Sequence, residues 1–388
     1  MSALESLECP VCGSLYDPRV PQTICAACVS PLLCQYDLAA LKRELDRDAF
    51  AARPRGIWRW HEMLPVLDPS HQMTLGEGDT PLIKADRLAG ALGLRHLYIK
   101  DEGRNPTGTF KARGLCMAVA KALELGLREL WMPTAGNAGS ALAAYAARAG
   151  IQAYVFMPAD APEIYQREVM AYGARLERLP GFLDQVGERA EKQAREQGWF
   201  GVATFKEPYR VEGKKTMGLE LAETFKWRLP EVILYPTGGG TGLVGMWKAF
   251  RELEALGWLE GPLPKLVAVQ PEGCAPVVRA LEKGHERISL WRRPRTAAHG
   301  LRVPKVFADR LVLKAVREST GRGVVVSEVE IQEARTELGQ VEGLSACLEG
   351  AATWAGLKRL VKEGWLPAEA RIVLFNTGTG LKQAVGRN

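Results

Sequence analysis

Cys9, Cys12, Cys25 and Cys28 form two C-x2-C pairs with twelve residues between them. At that spacing two tight turns present four thiolates tetrahedrally to one zinc ion. Half of the chain's eight cysteines lie in these first 28 residues, and in a reducing compartment such pairing reads as metal ligation before disulfides. Pro10 and Gly13 suit the first turn, whereas Cys25-Ala26-Ala27-Cys28 lacks a following glycine. Zinc ribbons also bind nucleic acid, but only Arg19 is basic before Lys42. A structural zinc staple is therefore expected in preference to a nucleic-acid reader.

A second chemistry is written in glycine. Thr134-Ala135-Gly136-Asn137-Ala138-Gly139, Thr237-Gly238-Gly239-Gly240-Thr241-Gly242 and Thr377-Gly378-Thr379-Gly380 each follow an apolar run. Glycines let main-chain N–H groups converge on one point, and the start of a following helix favours an anion there. The middle loop is the best phosphate cradle of the three. Gly240 to Gly245 formally matches the dinucleotide fingerprint, but the next run ends in Gln270 where an acid would hold a ribose hydroxyl. Gly213-Lys214-Lys215-Thr216 fails the P-loop pattern because a second lysine stands where Ser or Thr is required.

The stretch Asn105 to Gly114 places Lys111 beside Phe110 at a helix start. Partial burial and the positive end of the helix dipole would depress its pKa there. A neutral lysine amine can attack a carbonyl and form a Schiff base. Lys206, Arg210, Lys214 and Lys215 concentrate positive charge after another apolar run, and an arginine fork can grip a phosphate bidentately.

These residues need elements to hold them. His96–Asp101, Glu129–Pro133, Gln152–Pro158, Trp199–Phe205, Glu231–Pro236, Lys265–Gln270 and Arg371–Asn376 read as strands, with helical patterns between nearly all of them. That alternation predicts an α/β fold of two parallel-sheet domains with helices on both faces. The expected divisions are a zinc-ribbon-like segment at 1–38, a domain at 39–210 that carries Lys111, and a domain at 211–388 that carries the phosphate loop. A helix is expected over Leu41 to Phe50, then an aromatic connector through Trp58 and Trp60 to Pro69. In such sheets ligands bind beyond the carboxyl ends of the strands, where all three glycine turns fall.

Composition narrows the partners. The 388 residues are 47% hydrophobic and 25% charged, as in ordinary globular chains. A balance of +6, from 51 Lys+Arg against 45 Asp+Glu, is too small to argue for nucleic acid. The most apolar helical stretch, Ser140 to Ile151, is short and broken by Arg148, so no membrane partner is expected. The start of the chain carries Glu5 and Glu8 and no basic run before an apolar one. It is unlike a secretory signal, and a cytoplasmic location is expected.

With Leu75-Gly76-Glu77-Gly78-Asp79-Thr80-Pro81-Leu82 and Pro106 to Gly114 added to the three glycine turns, the order and spacing of five motifs resemble the fold type II pyridoxal-phosphate enzymes. This is the tryptophan synthase β-subunit superfamily, and within it the chain is similar to the threonine synthases over residues 75–388. The resemblance implies pyridoxal 5'-phosphate bonded to Lys111 and Asn137 against its phenolic oxygen. It also implies Gly238, Gly239, Gly240 and Thr241 on its phosphate and Thr377 facing its ring nitrogen. A threonine cannot stabilise a charged ring nitrogen as a carboxylate would, which suits elimination and replacement at Cβ and Cγ. The implied reaction converts O-phosphohomoserine and water to threonine and phosphate, in a homodimer, with the zinc-type knuckle found in many threonine synthases. The implied substrate contacts are Thr134 and the stretch Phe205 to Thr216, which resembles the family's Arg-Leu-Glu-Gly-Gln-Lys-Thr and offers Lys206, Arg210 and Lys215.

The chain departs from that family at Ala112, where many members have aspartate, and at Ala135, Ala138 and Gly139, where they carry hydroxyls. Thr296-Ala297-Ala298-His299-Gly300-Leu301-Arg302-Val303 resembles a substrate-facing strip of serine and threonine dehydratases, with His299 read as a packed or surface residue. A serine or threonine dehydratase, or a cysteate-synthase-like enzyme, is the alternative. A zinc-ribbon binding protein with a degenerate body is a third reading, which requires salt-sensitive nucleic-acid affinity.

Overall fold

The computed structural model describes residues 1–181 and 183–383. Its first strand, β1 (Leu4–Glu8), pairs antiparallel with β2 (Leu15–Tyr16) and β3 (Leu33–Tyr36). Helix α1 (Leu38–Glu44) begins where Asp37 accepts a hydrogen bond from Ala40 N. The helix expected to Phe50 stops early: Leu45 is extended, and Asp46 accepts from Asp48 N to start a separate 3-10 turn, Arg47–Ala52. A short acidic side chain that bonds its own neighbouring N–H competes with helix continuation. The aromatic connector folds back on the body, where the Phe50 ring lies 4.5 Å from Trp60 and 5.8 Å from Trp258.

β4 (Leu82–Lys84), α2 (Asp86–Ala91), β5 (His96–Asp101) and α3 (Lys111–Glu124) lead into a small sheet unit. That unit runs β6 (Glu129–Pro133), α4 (Asn137–Ala149), β7 (Gln152–Pro158), α5 (Glu163–Ala171), β8 (Arg175–Leu179), α6 (Leu183–Gln197) and β9 (Phe200–Gly201). The remainder is α7 (Tyr209–Thr224), β10 (Val232–Pro236), α8 (Thr241–Leu256), β11 (Lys265–Pro271), α9 (Pro276–Glu282), α10 (Asp309–Glu318), β12 (Arg322–Val326), α11 (Glu328–Glu342), α12 (Leu348–Lys362) and β13 (Arg371–Asn376).

Two sheets result. One has the order β8-β7-β6-β9 and is parallel throughout; the other has the order β12-β11-β10-β13-β5-β4 and is parallel except for the short edge strand β4. The larger sheet takes β4 and β5 from one end of the chain and four strands from the other, so it encloses the smaller unit in sequence. The division expected at 210/211 falls inside α7 and does not separate the sheets. Strand register is set by two-faced burial. Ile233 and Tyr235 join the apolar core on one face of the large sheet, and Val232 and Leu234 join the core on the other. A strand covered on both sides reads as an unbroken apolar run, which is why β10 was plain in the sequence.

The expected strand Trp199–Phe205 shrinks to Phe200–Gly201: pairing with β6 ends after Trp131↔Gly201, and Phe205 takes φ +58°. β8 escaped the sequence reading. As an edge strand, Arg-Leu-Glu-Arg-Leu, it is charged and mostly exposed, the composition that protects an edge from further pairing. Among the described residues no helix is long and apolar enough to cross a membrane.

Candidate active site

Four strands of parallel sheet, β5, β6, β10 and β13, end beneath loops that carry the candidate residues. Lys111 is the first residue of α3, and its Nζ lies 4.6 Å from the centre of the Phe110 ring. Burial, reinforced by the nearby Arg210 charge and opposed by Glu349, draws its amine down to about 7. Near neutrality it is therefore substantially uncharged and nucleophilic.

The loop before Lys111 is fixed from below. Arg113, fully buried, donates to Glu102 from Nε at 2.7 Å and from Nη2 at 2.8 Å, to Glu220 Oε2 at 2.8 Å and to Thr216 Oγ1 at 2.9 Å. Lys100 joins through Glu220 Oε2 at 2.7 Å and Thr80 O at 2.6 Å. Asn105 accepts from Gly78 N at 3.1 Å, which ties the entry motif to the same network. Burial of this kind is tolerated because every charge faces an opposite one. From the side, β13 holds the loop: Phe110 N donates to Thr377 O at 3.0 Å and Thr379 N to Gly108 O at 2.8 Å. Lys214 on α7 donates to the carbonyls of Phe110 and Lys111. α3, α7 and α8 approach this closely because a Cβ on Gly213 would lie 2.1 Å from Arg113 O, and one on Gly245 would lie 2.9 Å from Val211 O.

The middle glycine loop caps α8. Gly240 adopts φ +80°, and a Cβ on Gly238 would sit 2.3 Å from Gly300 O. None of the main-chain N–H groups of Gly238, Gly239, Gly240, Thr241 and Gly242 has a partner among the described residues. Five unmatched donors at the start of a 16-residue helix form an anion site. The dinucleotide alternative fails on geometry. Gln270 is buried and spends its amide on Thr237 O at 2.8 Å and on Val277 N and Val278 N at 2.8 and 3.1 Å, so it grips no ribose. Gly242 and Gly245 make room for Tyr235 Oη and for α7.

Asn137 opens α4, and its Oδ1 is buried without a hydrogen-bond partner among the described residues. Thr134, at the end of β6, accepts from Gly136 N at 3.3 Å and shapes that turn. Thr377 is buried after β13, with its Oγ1 3.8 Å from the Cys347 Sγ. A depressed lysine amine, a main-chain anion cradle, an unpartnered amide oxygen and an uncharged hydroxyl fit pyridoxal 5'-phosphate.

The positive cluster divides. Arg210 is buried on α7; its Nη1 donates to Val202 O at 2.8 Å, while Nε and Nη2 have no partner among the described residues. Glu207 faces it and caps α7 by accepting from Tyr209 N at 2.7 Å and Arg210 N at 3.0 Å. Burial raises the Glu207 carboxyl to about 7. Lys206 does not join Arg210: it is exposed and paired with Glu191 at 3.2 Å. Lys215 points to the opposite face of α7, 2.7 Å from Glu212 and 2.9 Å from Glu252. A helix cannot present positions 210 and 215 to one point, since five residues span 500° of rotation at roughly 100° each. His299 lies exposed in a surface turn.

Two residues near the site were not foreseen. Glu349 accepts from Gly300 N at 2.8 Å and from Gln383 Nε2 at 3.0 Å, and its charge reaches Lys111. Cys347 caps α12 and touches Thr377. Both precede or open a helix that follows no strand, so the rule of reading strand ends passes over them.

The four candidate metal thiols meet. All lie within 4.8 Å of one another, with Cys9–Cys28 at 3.3 Å, Cys12–Cys25 at 3.6 Å and Cys12–Cys28 at 3.7 Å. Tetrahedral zinc with bonds of about 2.3 Å separates sulfurs by about 3.8 Å, so the set fits zinc. The two turns are built alike: Gly13 N donates to Cys9 O and Val29 N to Cys25 O, both at 2.9 Å. Val29 takes φ +55° where Gly13 takes φ +71°, so a β-branched residue does the work of the missing glycine.

Comparison with known proteins agrees with this geometry. Residues 73–378 match the family model described as pyridoxal-phosphate dependent enzyme, and the chain belongs to that family. Within it the chain is a member of the threonine synthase group. It is 34% identical to the threonine synthase of Methanocaldococcus jannaschii, over 96% of this chain and 92% of that one. It is 33% identical to that of Methanosarcina acetivorans, over 97% and 92%. Among solved structures, the T.th. threonine deaminase superposes with a TM-score of 0.63 at 28% identity, over 77% of this chain and 92% of that one. The Escherichia coli diaminopropionate ammonia lyase shares the fold, with a TM-score of 0.68 at 20% identity over 80% and 86%.

Proposed function

We propose that the chain is a threonine synthase that converts O-phosphohomoserine and water to threonine and phosphate. The observation that carries this reading is Arg210, a buried guanidinium with two unpartnered N–H donors close enough to depress Lys111. A substrate with its own phosphate needs a second anion site besides the cofactor cradle, and a dehydratase acting on serine or threonine does not.

When bound, pyridoxal phosphate supplies the electron sink that lets protons leave carbons next to the substrate amine. The residues do the rest. Gly238 to Thr241 would hold the cofactor phosphate, Asn137 its phenolic oxygen and Thr377 its ring nitrogen. Lys111 takes a proton first from Cα and then from Cβ, Arg210 receives the phosphate that leaves Cγ, the two protons return to Cγ and Cα, and water adds at Cβ. Thr134 borders the substrate carboxylate. Lys206 and Lys215 have no part, because each is paired elsewhere. Zinc is proposed at Cys9, Cys12, Cys25 and Cys28 as a staple. A homodimer in the cytoplasm is proposed on family resemblance, and sedimentation equilibrium tests the dimer.

The reading is tested by supplying O-phosphohomoserine to the cofactor-loaded protein and measuring phosphate and threonine together. Equal amounts support it. Phosphate without threonine, or neither, refutes it and redirects the search to serine and threonine.

A further inference from the structure

Beyond the α8 cradle, the chain has a second place shaped for an anion. A cavity of about 470 Å3 opens between α9 and the loop that follows it, lined by Arg279, Lys283, His285, Leu290, Trp291 and Arg292 among others, and by no carboxylate among the described residues. Its volume is in the range of small-molecule sites, roughly 300–1,000 Å3. Arg287 next door is paired with Asp309 at 2.6 Å, whereas Arg279, Lys283 and Arg292 have no acidic partner among the described residues. The wall is preformed: Arg279 donates to Ser289 O and Leu290 O, both at 3.2 Å, and its guanidinium lies 4.6 Å from the centre of the Trp291 ring. Leu290 is 58% exposed at the rim, an apolar surface beside three unneutralised cations.

Both walls lead to the cofactor cradle. Gln270 accepts from the first turn of α9 and donates to Thr237 O, immediately before Gly238. The opposite wall is tied by Trp291 N to Pro304 O at 2.9 Å and by Arg295 N to Gly273 O at 3.1 Å, and it continues to Gly300, whose carbonyl packs on Gly238. An occupant that drew α9 toward the loop would press on the cradle from both ends.

We propose that this cavity is a regulatory site for a small organic diphosphate, and that its occupancy alters how tightly the Gly238 to Thr241 loop holds its anion. Two adjacent phosphates match in charge the three cations that line the cavity, and Leu290 with Trp291 offers an apolar face to the organic part. Binding to the cavity does not depend on the substrate proposed above.

The test is titration calorimetry on the cofactor-loaded protein, with ADP and inorganic pyrophosphate as probes. Both are expected to bind, ADP the more tightly. Lys283→Glu with Arg292→Glu is expected to weaken each at least tenfold without moving the melting temperature, and added salt is expected to weaken both. No heat with either probe, or equal affinity in the double variant, overturns the site. So does preference for a single-stranded oligonucleotide over ADP. The coupling is read as the apparent Kd of pyridoxal phosphate with and without saturating ADP. A change of at least about fivefold, absent from the double variant, is expected for linked sites. An unchanged Kd, or the same change in the double variant, overturns the coupling.

Discussion

Replacing Arg210 by methionine separates the role given to it from every structural role nearby. Methionine keeps most of the buried stem and removes the fork. Two charge-assisted hydrogen bonds to a leaving phosphate contribute roughly 1.5–3 kcal/mol each. With the lower value, because the departing phosphate keeps some water, the loss is about 3 kcal/mol, or about 150-fold in kcat/KM for O-phosphohomoserine. The fold loses one hydrogen bond, from Nη1 to Val202 O, and the positive charge that faces buried Glu207. That leaves one buried carbonyl unmet, at about 1–3 kcal/mol and a few degrees in Tm. A second signature follows from charge. Arg210 is one of the causes that draw Lys111 down to about 7, so its removal raises the lysine pKa and shifts the acidic limb of the kcat profile, which reports the amine freed once substrate is bound, to higher pH. The assay is steady-state phosphate release across pH, with cofactor absorbance as a control. A loss below about fivefold, or an equal loss of cofactor binding, refutes the assignment.

Stripping zinc with a chelator is expected to lower the melting temperature and leave kcat unchanged, whereas lost turnover at unchanged melting contradicts a structural staple. Val29→Gly in the zinc-loaded protein is expected to stabilise by up to about 1 kcal/mol, since glycine removes strain at φ +55° that exceeds its own entropic cost; urea unfolding checks it, and destabilisation speaks against the strain. Glu220→Gln breaks the pairs with Arg113 and Lys100 and is expected to cost about 3–5 kcal/mol. Burial opposes ionisation of Glu220, but the Arg113 and Lys100 charges win and hold it at about 2, against an ordinary 4.5. Its contribution is thus complete above 4.5 and lost as pH falls toward 2. Unfolding free energies between pH 6 and pH 3 should fall more steeply for the wild type than for the variant, and parallel slopes contradict the assignment.

The parts of the site legible in the sequence share one physical property, that they lie where a buried strand stops. β10 is apolar throughout because both its faces are covered, so its end at Pro236 and the glycine cradle after it stand out. The same holds for Thr134 after β6 and Thr377 after β13. Lys111 was marked by its neighbours more than by its own type. What was not legible is angular and nonlocal. Lys206, Arg210 and Lys215 are close in sequence, yet of the three only the Arg210 charge acts on Lys111, because helix rotation and the acids Glu191, Glu212 and Glu252 claim the others. Glu349 reaches the site from a helix more than 200 residues from Lys111. The enclosure of the small sheet unit within the large one is equally nonlocal, since β5 pairs with β13 across most of the chain.

The claim on which the account turns is that Lys111 is the residue that bonds the cofactor, and it can be tested chemically. Lys214 is the sharpest rival: its Nζ also lies 4.6 Å from the Phe110 ring centre, and burial likewise holds its amine well below the ordinary lysine range. Borohydride reduction of the pyridoxal-phosphate-loaded protein, followed by peptide mass spectrometry, locates the bonded lysine. A single pyridoxyl label is expected on Lys111, absent from Lys111→Ala. A label on Lys214 instead, or an unchanged yield in Lys111→Ala, contradicts it.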